Sequence, residues 1–276
     1  MGVWRLEVVV PLGALWLAYV VGAWRLVRLS PPSSRPRILF RLLAAWAAVV
    51  ALATALLGLD GPAHERFSAH MVQHMLLIAV APPLLLLADP FPVGLWALPA
   101  RARAVAGRLV AAGTPLGSAW RALTRPALAW PLHVGLLWAW HAPALYDWAL
   151  AHPLAHDLEH LSLFATAVLF WWPVLAPAPR PVPPVGDGAR IAYVLLAAFA
   201  RAALGLLLAL APVPLYAYRG LDPLGALDDQ TLGGLIMWGW GGLIDLGVVL
   251  CVLGRALAVV SLTDPARQAR MNRFDA

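Results

Sequence analysis

The sequence has almost no cysteine: among its 276 residues only Cys251 carries a thiol. One thiol cannot form an internal disulfide, and it leaves no CxxC motif for metal binding or redox chemistry. Cys251 lies in the last long apolar run, so we expect it to pack among other side chains rather than to react. A disulfide-stapled fold and a cysteine-pair metal site are therefore excluded.

Charge is scarce as well. Charged residues make up 12% of the sequence, hydrophobic residues make up 62%, and the mean hydropathy is +0.76. Soluble domains contain roughly 25% charged residues, so this composition excludes a soluble globular protein. No hydrophilic stretch is long enough for a second domain, and we expect a single integral membrane domain over residues 1–276.

Lysine is absent, and all 20 basic residues are arginine. Most of them lie in short loops between apolar runs, where basic residues orient a membrane protein. The formal net charge of +6 is thus an orientation signal, and we expect no nucleic-acid partner.

Long apolar runs, in contrast, are abundant. A membrane-spanning helix needs about 20 apolar residues, and seven stretches are long enough. We therefore predict an all-α polytopic fold, a bundle of seven transmembrane helices. Pro82 and Pro83 lie inside the third stretch and should kink or end its helix, with the kink facing protein so that the freed backbone groups find partners. The predicted spans are residues 8–29, 38–59, 67–88, 127–146, 153–176, 189–211 and 231–254.

The arginines are distributed unequally between the two ends of this bundle. Sixteen lie around the loop after the first span, in the 89–126 connection, around the 177–188 loop and near the C-terminus, whereas Arg5, Arg66 and Arg219 lie at the other end. The positive-inside rule places the N-terminus outside and the C-terminus inside. We expect the 89–126 connection to lie as an amphipathic helix on anionic membrane lipids.

Histidines are concentrated at the predicted outer end. His70 and His74 are spaced i,i+4, as are His156 and His160, so on helices each pair shares one face. Imidazole is the commonest protein ligand for late transition metals, and burying it in a membrane requires a partner. We predict that these four histidines bind a metal. The alternative is that they hydrogen-bond to neighbouring helices.

Residues beside the first pair favour copper. Met71 and Met75 add soft thioethers, and a mixture of histidine and methionine suits copper(I). Gln73 could donate a hydrogen bond that orients a ligand. A helix N-terminus disfavours imidazolium, which keeps His70 and His74 neutral and able to bind metal.

The second pair has an acid beside it. Glu159 is adjacent to His160 and one turn from His156, so it could orient an imidazole or transfer protons. His152 precedes Pro153, which suits a first helical turn. We expect His152 to cap the helix or to lie at the surface.

Further polar residues are predicted near the same depth. His141 and Asp147 join the fourth and fifth spans at the height of the cluster and are predicted to complete it. The alternative is a purely structural role for this segment, because Tyr146 and Trp148 also fit an interfacial aromatic belt. Asp229 and Gln230 precede the last span, where an acid is expected as a helix cap; contact with a metal or a partner is the alternative.

Two charges lie deep within the predicted spans. An unpaired Arg201 or Asp245 would be costly in lipid, so we predict a buried ion pair between them. We expect the pair to be structural, with a proton path as the alternative. His133, nearer the inner side, is expected to be a core histidine.

The order of these motifs resembles a known family. HMVQHMLL, APPLLLLADP, HAPALYDWAL, HPLAHDLEHLSLF, FWWPVLAP and DDQTLGGLIMW follow one another between about residues 64 and 245, and together they are similar to the caa3-type CtaG family. Its members are multi-span assembly factors for bacterial heme–copper cytochrome c oxidases, linked to copper handling. An unrelated single-span copper chaperone of the same name has a cysteine pair with no counterpart here. The matching motif positions are His70, Gln73, His74, Asp147, His156, Glu159, His160, Asp229 and Gln230.

The resemblance implies a non-enzymatic assembly factor of the bacterial inner membrane. It would bind copper at the outer face and pass it to an oxidase subunit, with a copper donor protein as a further partner. One alternative is an intramembrane zinc hydrolase, in which three histidines hold zinc and Glu159 or Asp229 acts on a bound water. The other is a bis-histidine heme protein, with one axial histidine from each of two facing helices.

Overall fold

The computed structural model describes residues 5–111, 113–178, 185–218 and 221–263. Across these residues the fold is all-α, as predicted, and contains no strand. Long helices form the bundle and short ones connect them, and two five-residue π-helical turns, Thr54–Gly58 and Leu76–Val80, interrupt the long ones. In chain order the helices are α1 (Leu6–Leu29), α2 (Arg35–Ala53), α3 (Asp60–Glu65), α4 (Phe67–Met75), α5 (Ala81–Leu87), α6 (Pro90–Leu95), α7 (Ala100–Leu109), α8 (Pro115–Leu123), α9 (Pro126–Trp140), α10 (Pro143–Ala151), α11 (Pro153–Leu175), α12 (Asp187–Ala209) and α13 (Pro223–Thr263).

Within the described ranges, six helical segments are long and apolar enough to cross a membrane, so the chain is a multi-pass membrane protein. They correspond to all the predicted spans except 127–146. There α9 has only 15 residues, and Ala142 is extended ahead of Pro143, as residues before proline tend to be. The six segments are Leu6–Leu29, Pro32–Gly58, Phe67–Leu87, Pro153–Leu175, Asp187–Ala209 and Pro223–Ala258.

The third predicted span is distorted just before its two prolines. α4 passes into α5 through the π-helical turn Leu76–Val80. Pro82 has no N–H to donate to the carbonyl of Ile78, four residues earlier. The indole Nε1 of Trp171 in α11 donates to that carbonyl instead, at 3.0 Å. The freed backbone group therefore faces protein, as predicted.

The last helix begins earlier than predicted, at Pro223 rather than near residue 231. The N–H of Gly225 donates to Asp222 Oδ1 at 2.7 Å, so Asp222 caps this helix. Asp229 and Gln230 consequently lie inside α13. The expectation that an acid at this point caps the last span is wrong, because Asp222 and Pro223 already form the start of the helix.

α12 and α13 pack with their backbones in close contact. A Cβ atom at Gly205 would lie 2.8 Å from the carbonyl oxygen of Gly234, and one at Gly234 would lie 2.5 Å from that of Gly205. Small residues permit this approach between membrane helices. α13 also packs against α4, where the ring of Phe67 lies beside Gly233. α4, the helix that carries the first histidine pair, is thereby fixed to α13.

The 89–126 connection contains three short helices instead of one. α6 packs closely on α1, whereas α7 has no buried residue and carries Arg101, Arg103 and Arg108. Its contact with lipid stays a prediction. Cys251 is exposed on α13, so the expectation that it packs in the interior is wrong: this part of α13 presents it to the surroundings of the bundle.

Candidate metal centre

The two predicted histidine pairs lie side by side at one end of the bundle. His70 lies near the start of α4 and His74 in its last turn, and His156 and His160 lie in the first turns of α11. Ring centroids lie 4.4 Å apart within the first pair and 4.1 Å apart within the second. Between the helices, the ring of His70 is 5.1 Å from that of His156 and 5.6 Å from that of His160. The i,i+4 spacing puts both rings of a pair on one face of their helix, and in each case this face meets the other helix.

Four side chains bring their donor atoms closest together. One ligand atom from each of His70, His156, Glu159 and His160 lies within 4.8 Å of the others, and all four residues are buried. The Nε2 atoms of His70 and His160 are 3.4 Å apart, a separation that two metal–nitrogen bonds of about 2.0–2.1 Å can span. This group contains three of the four predicted ligands, with Glu159 in the place of His74.

His74 lies one helical turn deeper. Its ring is 5.4 Å from that of His160 and 5.6 Å from that of His141. Its Nε2 approaches Oε1 of Glu159 to 3.4 Å, but the two atoms are not aligned as a hydrogen bond. The Nδ1–H of His141 donates to the Leu137 carbonyl at 2.8 Å. His74 and His141 therefore extend the four-residue group into a larger polar chamber.

Several buried polar atoms of this chamber have no hydrogen-bond partner among the described residues. Such an atom costs about 1–3 kcal/mol, and native interiors rarely leave several of them together. Imidazole nitrogens and carboxylate oxygens are common metal ligands, so the donor set fits a metal ion that would satisfy them jointly. The atoms are Nδ1 and Nε2 of His74, Nε2 of His141, Nε2 of His156, Nδ1 of His160 and both carboxylate oxygens of Glu159.

Two tyrosine hydroxyls contact the other ring nitrogen of His70. Its Nδ1 lies 2.7 Å from the hydroxyl oxygen of Tyr146 and 3.1 Å from that of Tyr218, and the two hydroxyls are 2.6 Å apart. For Nε2 of His70 to bind a metal, Nδ1 must carry the proton and donate it to a phenol oxygen, which fixes the tautomer. Burial raises the pKa of Tyr218, so this phenol stays protonated and able to donate.

Tyr218 reaches the chamber on the loop between α12 and α13, which side chains of two other elements hold in place. The N–H of Ala217 donates to Asp147 of α10 at 2.9 Å. The N–H of Leu215 donates to Gln230 of α13 at 2.7 Å. The predicted residues Asp147 and Gln230 therefore hydrogen-bond to the loop backbone and position Tyr218.

Tyr216, on the same loop, ties it to the end of α9. Its hydroxyl donates to the His141 carbonyl at 2.9 Å, and its ring lies 4.0 Å from that of Tyr146 and 4.9 Å from that of Phe67. Burial raises the pKa of Tyr216 as well, which keeps this hydroxyl protonated. An aromatic layer thus covers the chamber next to His70.

Most of the chain matches a known protein family. Residues 17–258 match the family described as cytochrome c oxidase caa3 assembly factor (Caa3_CtaG). The chain belongs to the caa3 oxidase assembly factor family. The resemblance found in the sequence motifs is therefore confirmed, and the chamber lies within the matched range.

Two curated relatives of this chain are the uncharacterized protein Mb0105 of Mycobacterium bovis and the uncharacterized protein MT0111 of Mycobacterium tuberculosis. Each is 27% identical over 219 residues, which make up 74% of this chain. The chain spans 30% of the length of each relative. No solved structure matches it.

Other residues predicted from the sequence hold α4 in position. The side-chain amide of Gln73 donates to the Ala55 carbonyl at 2.9 Å, which ties α4 to the π-helical turn after α2. Asp229 accepts hydrogen bonds from the N–H and the hydroxyl of Ser68. Asp229 therefore caps α4, a helix distant from it in the sequence, rather than its own helix.

The methionines of the histidine motif are buried in the apolar core. Met71 lies beside Gly233 of α13, and the sulfur of Met75 lies near Gly241. These contacts are on the side of α4 that packs against α13. The thioether contribution to a metal site therefore stays a prediction.

The two deep charges meet in the interior of the bundle. Arg201 of α12 and Asp245 of α13 form a salt bridge in which both side chains are buried. The guanidinium of Arg201 also lies 5.4 Å from the ring centre of Phe170. Pairing offsets the cost of placing either charge in an apolar surrounding. His133 is buried as expected, with Nδ1 3.4 Å from the Thr166 hydroxyl.

Sequence reasoning missed the tyrosines that surround His70. Tyr146 fitted an interfacial aromatic belt, and Tyr216 and Tyr218 were not singled out. The available signal was the Tyr-Ala-Tyr alternation at 216–218, directly after a predicted span and at the histidine end of the bundle. The signal does not indicate which side chain the loop reaches.

Proposed function

We propose that the protein carries a copper ion between His70, His156 and His160, with Glu159 beside it, and passes the ion to a subunit of a caa3-type cytochrome c oxidase. The observation that carries this proposal is the convergence of buried, unpartnered imidazole nitrogens and carboxylate oxygens in one chamber. Family membership supports an oxidase as the client. The proposed role is carriage of an ion and not catalysis of a reaction.

Copper is the cargo that the ligands and the family together favour. Neutral imidazoles suit both copper and zinc. With Met71 and Met75 beside α13, the first contacts to the ion would be nitrogen and carboxylate atoms rather than sulfur. A ligand set without thiolates gives copper(I) up to a softer set, which suits a carrier.

We further propose seven membrane crossings, with α9 as the fourth. α4 and α11 both begin at the histidine end, so the chain must return to that end between them. α9 makes this return, because His141 directly after it lies 5.6 Å from the ring of His74. Its 15 residues extend over roughly 22 Å, and a short hydrophobic span is accommodated by local thinning of the bilayer.

The histidine end is proposed to face the outside of a bacterial inner membrane. Arg5 precedes α1 and forms salt bridges with Asp60 and Asp157, which supports the start of α1 at the histidine end. The arginine-rich loops lie at the opposite ends of the helices, which the positive-inside rule assigns to the cytoplasm. Of the arginines counted for this rule, Arg180, Arg219, Arg267, Arg270 and Arg273 lie outside the described residues.

Three kinds of partner follow from this arrangement. The client is an oxidase subunit at the outer face, and a copper donor protein would load the chamber from the same side. The three arginines of α7, a helix without buried residues, would contact anionic lipids at the inner face.

The unpartnered carboxylate of Glu159 favours one alternative, a zinc-dependent hydrolase in which it would act on a metal-bound water. Asp229 is unsuited to that role because it accepts hydrogen bonds from Ser68. A heme is disfavoured, because the four imidazoles of α4 and α11 pack with ring centroids 4.1–5.6 Å apart, and a macrocycle between these helices would have to separate them.

Metal analysis of the protein purified in detergent tests the proposal. Loaded side by side with copper(I) and zinc, the wild-type protein should retain a single copper ion in preference to zinc. The variants His70→Ala and His160→Ala should lose it. His133→Ala removes a buried histidine beside Thr166 and should retain copper. Copper retained in both chamber variants would contradict the copper site, and a preference for zinc would favour the hydrolase.

Transfer is tested in cells that need the protein for oxidase assembly. His160→Ala should leave the oxidase deficient in copper, whereas His133→Ala should restore its copper content. An oxidase that is fully copper-loaded with His160→Ala as the only copy would refute the carrier role.

A further inference from the structure

We infer that His64 takes up the ion at the protein surface and hands it to His156, so that the two residues form the access route to the chamber. This inference rests on the proposed function, that the chamber holds copper(I). His64 lies on α3 and is exposed. Its ring centroid is 4.7 Å from that of His156, which is buried.

The hydrogen bond of His64 leaves the nitrogen needed for this role available. Nδ1 lies 2.7 Å from the Asp60 carbonyl oxygen. A carbonyl cannot donate, so Nδ1 carries the ring proton and Nε2 of the neutral ring keeps its lone pair. The surface imidazole is thereby fixed in the tautomer that binds metal through Nε2.

His156 continues the route inward. Its buried Nε2 has no hydrogen-bond partner, and its ring lies 4.1 Å from that of His160 and 5.1 Å from that of His70. Imidazoles therefore follow one another at contact distance from the surface to the chamber. In each transfer a copper–nitrogen bond to one ring forms as the bond to the previous ring breaks. The ligands are neutral, so no proton or electron moves.

Carboxylates beside this route favour a cation. Arg5 forms salt bridges with Glu7, Asp60 and Asp157, and these three acids outnumber the guanidinium that they share. Glu65 and Arg66, both exposed directly after His64, offset each other in charge. Asp60 and Asp157 lie on the same elements as His64 and His156. A locally negative rim raises the concentration of cations near it and speeds their association.

His152 is the matched control for His64. It is also exposed at this end, and its Nδ1 also lies beside a backbone carbonyl four residues earlier, that of Trp148, at 2.9 Å. The ring contact that the structure gives His152 is with Trp148, at 6.0 Å. It therefore resembles His64 in exposure and tautomer but lies outside the proposed route.

The experiment compares the copper(I) loading rates of the full-length protein and its His64→Ala and His152→Ala variants, using displacement from a chromophoric copper(I) chelator. His64→Ala should load about tenfold more slowly, in the range typical for losing a residue that supports a metal site, and should reach the wild-type copper content. His152→Ala should load at the wild-type rate.

The outcomes separate this inference from the proposed function. A wild-type protein that takes up no copper overturns the proposed function and the route with it. Normal copper content with unchanged loading in His64→Ala overturns only the route. A lower final copper content in His64→Ala would make His64 a resident ligand, and equal slowing in His152→Ala would indicate a general surface effect. Both results overturn the assignment of His64 as the access residue.

Discussion

The Nε2 atoms of His70 and His160 face each other across 3.4 Å, although 90 positions separate the two residues in the sequence. At this distance either one nitrogen is protonated and donates to the other, or both lone pairs face a shared ion. In the second case the proton of His70 lies on Nδ1, where Tyr146 is 2.7 Å away. Occupancy by a metal and the tautomer of His70 are therefore linked, and replacing Tyr146 tests that link.

Replacing Glu159 should change metal affinity and stability in opposite directions. Glu159→Gln should weaken copper binding about 10–100-fold, as loss of a residue supporting a metal site does. It should also stabilise the metal-free protein by about 1 kcal/mol, because a neutral amide costs less to bury than a carboxylate without hydrogen-bond partners. Chelator competition and denaturation in detergent measure the two effects. Glu65→Gln, at an exposed acid of the same end, should change neither. A metal-free Glu159→Gln protein less stable than wild type would contradict this account of the carboxylate.

The hydroxyl of Tyr146 should matter for metal affinity. Tyr146→Phe removes the closest partner of His70 Nδ1, so the ring loses its preferred tautomer and copper affinity should fall about tenfold. Tyr218→Phe should have a smaller effect, because its hydroxyl lies farther from Nδ1, at 3.1 Å. Tyr193→Phe, which removes a buried hydroxyl bonded to the Phe170 carbonyl, should leave copper affinity unchanged. Equal affinities in all three variants would disprove the link to the tautomer.

The buried ion pair should behave as a unit. Arg201→Met or Asp245→Leu alone should destabilise the protein by about 3 kcal/mol, because each leaves an uncompensated buried charge. The double variant should recover most of that loss. Unfolding in mixed micelles measures the three free energies of unfolding. As a control, Glu7→Gln removes an exposed partner of Arg5, which keeps its salt bridges with Asp60 and Asp157, so the free energy of unfolding should stay close to the wild-type value. Additive losses in the double variant would show that the charges act independently.

The close packing of α12 on α13 should be sensitive to a single methyl group. Gly234→Ala places a Cβ 2.5 Å from the Gly205 carbonyl oxygen, so the helices must separate, at a cost of about 1–3 kcal/mol. A Cβ at Gly239, on the same helix, meets no atom within 4 Å. Gly239→Ala should be neutral or slightly stabilising. The free energy of unfolding checks both variants, and equal values would argue against the backbone contact.

The orientation can be tested with introduced cysteines in a Cys251→Ser background. A membrane-impermeant maleimide applied to intact cells should label His64→Cys, because residue 64 is exposed at the histidine end. It should label Arg103→Cys on α7 only after the membrane is permeabilised. Labelling of position 103 alone in intact cells would reverse the proposed topology.

The helical periodicity in the sequence predicts which histidines share a helix face, but it does not predict that the two pairs face each other. Spacing alone placed His70 beside His74 and His156 beside His160, and the alternation of spans brought both pairs to one end of the bundle. The proline pair in the third span was also predicted to face protein, and Trp171 provides the predicted partner for the carbonyl of Ile78.

The remaining features depend on contacts between distant segments. Periodicity does not reveal that Asp229 caps α4 through Ser68, because the two residues belong to different helices. Nor does it indicate the loop conformation that brings Tyr218 to His70.

The early end of α9, in contrast, has a local cause. The apolar composition continues through residue 146, whereas Pro143 interrupts the helix.

The chemical groups of the chamber also bear on the environment in which it can operate. Imidazole, phenol and carboxylate are not converted to disulfides or sulfenic acids, whereas thiols are. The single thiol, Cys251, is exposed on α13 and does not belong to the histidine–carboxylate group. The histidine chamber therefore needs no reducing partner to keep its donor atoms competent, even on the oxidising side of a cell envelope.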